Sequence, residues 1–267
     1  MALDEVARTN QERWDALVDA NVGFSQPMLD LDRTSARELI DPYDLAGDME
    51  GKDVLCLGSG GGQQSVACAL LGANATVFDL SPAQLERDRQ AAAHYQLPIR
   101  IVQGDMRDLS AFDDQGFDLV WHAFSINFVP ESRPVLDEVK RVLRPGGLYR
   151  IQFHNPFTAG MDEADWNGEG YPLRQPYVDG AELRFSDPHW EIGDEEGNVQ
   201  RVIGPREFRH TLGPLINHLI GNGFLLLGLW EDLTGDPDAE PGTWEHFKYL
   251  APPYLTLWFK YAPGLLQ

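Results

Sequence analysis

From Lys52 to Gln152 short apolar, β-branched runs alternate with stretches whose apolar residues recur at helical spacing, the pattern of successive βαβ units and a parallel sheet. Strands are expected at Asp53 to Leu57, Ala75 to Asp79, Ile99 to Gln103, Phe117 to His122 and Leu148 to Phe153. Helices are expected near Gly62 to Leu71, Pro82 to Tyr95 and Glu131 to Leu143. The second has a clear start, with Ser81 as N-cap and Pro82 in the first turn. Right-handed crossovers between such units give a doubly wound α/β sheet.

The flanks read differently. Residues 1–50 are helical around Asp4 to Asp19 and Asp32 to Ile40, an N-terminal appendage broken by Gly23, Pro27 and the Asp41-Pro42 turn. Residues 51–153 form the core. Over residues 154–204 the α/β rhythm is lost, and this Gly-, Pro-, Trp- and Tyr-rich insertion carries eleven Asp and Glu against three Arg. It is expected to be a lid after the fifth strand. Residues 205–267 resume with a helix from about Glu207 to Asn222, an apolar run Phe224 to Trp230, a loop Thr234 to Thr243 and a strand Tyr254 to Lys260. This tail completes the sheet.

Charge narrows the partners. Across 267 residues, 42 Asp and Glu oppose 21 Lys and Arg, a net charge of −21. Such a field repels phosphate backbones and anionic lipid, so neither nucleic acid nor membrane is an expected partner. The carboxylates are spread along the chain rather than gathered in a tail, so the acidity as a whole is not read as a binding site. MALDEVARTN places charges where a signal peptide needs an apolar stretch, and the two cysteines, Cys56 and Cys68, fall in expected core; a cytoplasmic protein is the expectation. The seven histidines form no His-x-x-x-His pair, and no metal site is expected. A homodimer is compatible with this sequence.

The chemistry-bearing segment is VLCLGSGGGQQS, Val54 to Ser65: a buried strand that runs into Gly58, Gly60, Gly61 and Gly62 and then a helix. Glycines let a ligand approach the backbone, and the helix start offers free N–H groups. Tight βα turns also use glycine for structural reasons alone, so the loop by itself decides little. Asp79 ends the second strand, about 20 residues on, where a carboxylate can accept the hydroxyls of a ribose. Gln63 stands next to Gly62 where the dinucleotide spacing G-x-G-x-x-G wants its third glycine, and no Walker lysine follows. Adenosine is favoured over a pyrophosphate-bearing dinucleotide.

These segments together resemble the class I S-adenosylmethionine-dependent methyltransferases, with their Rossmann-like seven-stranded, mostly parallel sheet and antiparallel last strand. VLCLGSGGG is similar to the family's first motif and VFDLSPAQL (Val77 to Leu85) to its second strand and turn. GDMRDL (Gly104 to Leu109) resembles the adenine-site motif, FDLVWHAFSINFV (Phe117 to Val129) the fourth strand, and RVLRPGGLYR (Arg141 to Arg150) the turn before the fifth. The resemblance covers about a hundred residues in the family's order. It implies that Gly58, Ser59, Gly60 and Gly62 line the methionine and ribose parts of the cofactor, that Asp79 holds the ribose, and that Leu80 packs on the adenine with Gln84 nearby. It further implies that Asp105 accepts from the exocyclic amine, that Met106 offers its backbone N–H, and that His122 and Phe124 face the methionine end. One departure is Cys56, where the family usually has Asp or Glu.

Methyl transfer from a sulfonium needs alignment, water exclusion and sometimes removal of a proton. Side chains for this belong at the carboxyl ends of strands four and five, which carry His122 and His154 as candidate catalytic residues. Each has a plain alternative, a histidine that satisfies backbone groups at a strand end. His210 is either a pocket residue or an exposed first-turn residue. In the insertion, Trp166, Tyr171, Tyr177 and Trp190 among Asp162, Glu163, Asp165 and Glu169 form either a lid that receives a cationic or apolar acceptor or the insertion's own small core. Trp14 is read as part of an amphipathic packing face, whereas Tyr43 stays undecided. The expectation is methyl transfer to a small molecule; a protein methyltransferase and a non-catalytic binder of S-adenosylmethionine or S-adenosylhomocysteine are the alternatives.

Overall fold

Asp4 caps the first helix by accepting the Ala7 N–H at 2.8 Å, and Ser81 caps the fourth by accepting that of Gln84 at 3.0 Å. The structure, a computed structural model, describes residues 3–185, 187–193 and 199–264; parts of the expected appendage, lid and tail, at 1–2, 186, 194–198 and 265–267, lie outside the described residues. In chain order the elements are α1 (Glu5–Asp19), α2 (Arg33–Ile40), β1 (Asp53–Leu57), α3 (Gln64–Leu70), β2 (Asn74–Asp79), α4 (Pro82–Tyr95), β3 (Arg100–Gln103) and β4 (Phe117–Phe124). There follow α5 (Arg133–Val142), β5 (Leu143–His154), β6 (His189–Gly193), β7 (Val199–Ile203), α6 (Leu212–Gly221), β8 (Phe224–Glu231), α7 (Trp244–Leu250) and β9 (Tyr254–Tyr261).

Seven strands form one sheet in the order β3-β2-β1-β4-β5-β9-β8. Strands β1 to β5 pair in parallel, and β9 runs antiparallel to both neighbours. The order reverses at β1, so the carboxyl ends of β1 and β4 flank the crevice where doubly wound sheets hold ligands. The core has two layers. On one face Ala36 and Ile40 of α2, Ala67 and Cys68 of α3 and Leu85 of α4 pack on Val54, Cys56 and Val77. On the other, Val135, Leu136 and Val139 of α5 and Leu215 and Leu219 of α6 pack on Leu55, Leu57, Tyr149 and Ile151.

Three parts differ from the sequence expectation. The insertion contains a two-stranded antiparallel ribbon, β6 with β7, separate from the main sheet. Helix α7 lies where no element was foreseen. Helix α6 begins at Leu212 rather than near Glu207, because residues before it run extended: the Phe208 N–H donates to Asn127 O at 2.7 Å and the Leu183 N–H to Glu207 O at 2.8 Å. Among the described residues no helix is long and apolar enough to cross a membrane.

Candidate active site

The carboxyl ends of β1, β2, β3 and β4 open into a cleft of about 1320 Å³, walled on its other sides by α1, the insertion and the loop before β9. Its floor is the glycine turn. Gly58 has φ +54°, and a Cβ there would lie 2.2 Å from Ser125 Oγ; at Gly60 a Cβ would lie 2.6 Å from Gln84 Cβ. Both positions therefore admit only glycine, for steric reasons at either and for backbone conformation at Gly58. Asp79 fixes the turn from β2: one carboxylate oxygen accepts the Gly60 N–H and the other the Ser81 N–H, each at 2.9 Å. Burial pushes the Asp79 carboxyl up against the pull of those donors. Behind the loop, buried Asp88 accepts the Gly61 N–H at 3.0 Å and the Ser65 hydroxyl; burial raises its carboxyl to about 7.

At the β3 end Asp105, 8% exposed, lines the cleft and is gripped by Arg107, Nε at 3.0 Å and Nη2 at 2.5 Å. Arg107 also reaches Asp4 of α1 at 2.6 Å, so the first helix is tied to the rim. Asn10 adds a second tie. Its Nδ2 donates to Phe128 O and Arg206 O, both at 3.0 Å, while its Oδ1 accepts the Arg206 N–H at 2.7 Å. Trp14, expected only to pack, is part of the cleft wall, with its ring 5.2 Å from Phe128 and 6.2 Å from both Phe24 and Trp190.

Of the residues singled out from sequence, Gly58, Ser59, Gly60, Asp79, Leu80, Gln84, Asp105, Met106, Phe124 and His154 line this one cleft. Gly62 and His122 do not. Gly62 supports the turn from behind, at φ +72°, where a Cβ would meet Arg87 O at 2.5 Å. His122 lies inside the sheet because β4 runs on to Phe124; it is fully buried opposite Leu57 and Ile151, with Nδ1 2.9 Å from the Tyr149 hydroxyl. Burial pushes its imidazole down to about 3, so it is neutral at physiological pH, and it does not line the cleft, although Trp121 and Ala123 on either side of it do. His210 fits neither reading: it is 2% exposed and its Nε2 lies 2.9 Å from Ile126 O. Cys56 is buried against α3, its Sγ 3.9 Å from that of Cys68, and does not line the cleft.

His154 ends β5 at the far end of the cleft, where its Nε2 lies 2.6 Å from Oε2 of Glu207. The ring stands perpendicular to Phe124 at 4.7 Å and stacks near Tyr254 at 5.9 Å. Burial and the nearby Glu207, Asp232 and Glu163 carboxylates raise the Tyr254 hydroxyl to about 12. The aromatic walls here come from Phe124, Tyr254, Trp244 and Phe247. Trp166 and Tyr171 instead form a small core with His246 and Phe247, and Tyr177 stacks on Phe157 at 4.9 Å, so of the four insertion aromatics named from the sequence only Trp190 lines the cleft, where Phe185 joins it. Glu207 was missed because it reads as one more acid in an acidic chain. Trp244 and Phe247 were missed with α7.

A family model described as a methyltransferase domain matches residues 55–151. The uncharacterized methyltransferase YbaJ of Bacillus subtilis is 36% identical over 198 residues, covering 73% of this chain and 74% of its own. Among solved structures, an S-adenosylmethionine-dependent methyltransferase from Mesorhizobium loti superposes with a TM-score of 0.60 at 20% identity, over 87% of this chain and all (100%) of its own. Geranyl diphosphate C-methyltransferase from Streptomyces coelicolor A3(2), in complex with S-adenosyl-L-homocysteine, also gives 0.60, at 15% identity, over 98% of this chain and 100% of its own.

Proposed function

Because the chain belongs to the class I S-adenosylmethionine-dependent methyltransferases, we propose that it transfers a methyl group to a small-molecule acceptor held between Phe124 and the His154–Glu207 pair. The observation that carries this reading is the continuity of one cleft from the glycine turn, past Asp79 and Asp105, to that pair. The residues fit the cofactor. Gly58 and Gly60 present bare backbone, two strand-end carboxylates can accept its hydroxyl and amine protons, and Gln84 Oε1 is buried without a partner among the described residues. S-adenosylmethionine supplies the activated methyl group when bound.

In this reading Gly58, Ser59, Gly60, Asp79, Leu80, Gln84, Asp105, Met106 and Phe124 hold the cofactor. Asp105 keeps its grip on Arg107 while a carboxylate lone pair remains for a further donor. Trp14, Phe24 and Trp190 exclude water, which an in-line displacement requires. His154 takes a proton from the acceptor, and Glu207, at 5% exposure, fixes its ring and stabilises the imidazolium. His122 does not line the cleft and takes no part in this reading; the partner of His154 is Glu207.

An acidic chain offers no basic track for a nucleic acid, and the walled cleft favours a small acceptor over a protein surface. The test is incubation of purified protein with S-adenosylmethionine labelled on its methyl and a cell extract. Label in the small-molecule fraction is expected; label confined to macromolecules refutes the small-molecule reading.

A further inference from the structure

The acceptor end of the cleft carries a chemistry of its own. Four rings, those of Phe124, Tyr254, Trp244 and Phe247, wall it, and two carboxylates, Glu207 and Glu163, border it. Glu207 meets His154 through one oxygen. Its neighbours in sequence do not neutralise it: Arg206 pairs with Glu182 at 2.6 Å, and Arg209 points into the insertion, donating to Ala159 O at 2.6 Å and to Pro176 O. Glu163 opens a short 3₁₀ turn, Glu163–Asp165, is half-buried, and pairs with no cation among the described residues. Burial, with Asp162 beside it, pushes its carboxyl up, the response of an anion that lacks a counter-charge.

An anionic acceptor, such as a phenolate or carboxylate, would meet two like charges in a space with restricted water. A cation gains from both carboxylates and from the negative faces of the surrounding rings. Resting on the assignment of this cleft to methyl transfer, we propose that the acceptor is an organic amine, bound as its ammonium ion between Glu163, Glu207 and the aromatic walls, and methylated on nitrogen. The ammonium gives one N–H proton to the His154–Glu207 pair, which uncovers the nitrogen lone pair. That pair forms the N–C bond as the methyl C–S bond breaks, and the C–S electrons stay on sulfur. The products are the N-methylammonium ion and a neutral thioether, S-adenosylhomocysteine, so charge and atoms balance.

The experiment is calorimetric titration of the protein, saturated with S-adenosylhomocysteine, with three probes of one shape: phenethylammonium, 2-phenylethanol and phenylacetate. Phenethylammonium is expected to bind at least about tenfold tighter than the alcohol, with phenylacetate weakest, in line with a partly desolvated cation against rings and carboxylates. Glu163→Gln keeps the side-chain shape and is expected to remove most of that preference while S-adenosylhomocysteine binds as before. Equal affinity for the three probes, tighter binding of the alcohol or phenylacetate, no binding of phenethylammonium, or a preference unchanged in Glu163→Gln overturns the proposal. The wild-type series decides even if the variant fails to fold. Failure of S-adenosylhomocysteine itself to bind the wild type is a separate result, and it overturns the assignment of the cleft.

Discussion

His154 Nε2 lies 2.6 Å from Oε2 of Glu207, although 53 positions separate the two residues. One ends β5 before the insertion and the other follows it, so the insertion's return to the core assembles the pair. His154→Asn is expected to lower the methyl-transfer kcat by about 10²-fold or more, the usual effect of losing a positioned acid or base. Affinity for S-adenosylhomocysteine should be unchanged, since the substituted ring lies at the acceptor end. Glu207→Gln should cost less in rate and displace the pH profile. An undiminished kcat in His154→Asn would show that proximity alone suffices.

Gly60 admits no side chain: a Cβ there would approach Gln84 Cβ to 2.6 Å and Asp79 Cγ to 3.0 Å. Gly60→Ala is expected to destabilise the fold by about 1–3 kcal/mol through overpacking and to weaken S-adenosylhomocysteine binding by displacing the Asp79 carboxylate. Gly23 is the internal control, with nothing within 4 Å of its Cβ position. Gly23→Ala should stay within about 0.5 kcal/mol of wild type by thermal unfolding.

How far the sequence revealed these features follows from the range of the forces involved. Asp53–Leu57 and Pro82–Tyr95 match expectation to the residue, since the apolar run Val54 to Leu57 and a Ser-Pro helix start are local signals. The glycine turn and Asp79 were legible for the same reason, whereas Asp105 was reached only through the family resemblance of GDMRDL. Contacts across long sequence intervals left no such mark. His122 was placed at a strand end, but β4 runs two residues further, to Phe124, and that continuation buries its ring beside Tyr149. The pairing of His189–Gly193 with Val199–Ile203 depends on cross-strand partners that neither pentapeptide announces. Glu207 acquires its role only from a histidine on another element.

Asp88 should give stability a pH dependence. Its folded carboxyl is raised to about 7, against about 3.9 for an unfolded chain, so the folded state holds the extra proton. That contribution is complete below about pH 4 and is lost as pH rises through about 7. Asp88→Asn is uncharged throughout and keeps an oxygen for the Gly61 N–H. The melting temperature of the variant relative to wild type should therefore rise between pH 5 and pH 8. His122, lowered to about 3, acts in the opposite direction on acidification but is common to both proteins and cancels in the difference.

Asn10 joins α1 to the turn after β4 and to the chain leaving the insertion. Asn10→Ala strips partners from Phe128 O, Arg206 O and the Arg206 N–H at once. A loss of about 2–3 kcal/mol is expected in denaturant unfolding, the cost of leaving buried polar groups unpaired. Exposure of Trp14 should accompany it as a red shift in tryptophan emission.

The measurement that bears most directly on the account is calorimetric titration of the protein with S-adenosylhomocysteine, with NAD as the control ligand, repeated on Asp79→Ala and Asp105→Ala. Binding of S-adenosylhomocysteine alone, weakened by more than about 1 kcal/mol in each variant, is the result predicted from the loss of a charge-assisted hydrogen bond. A folded wild-type protein that binds NAD instead, or neither ligand, would contradict the assignment of the cleft.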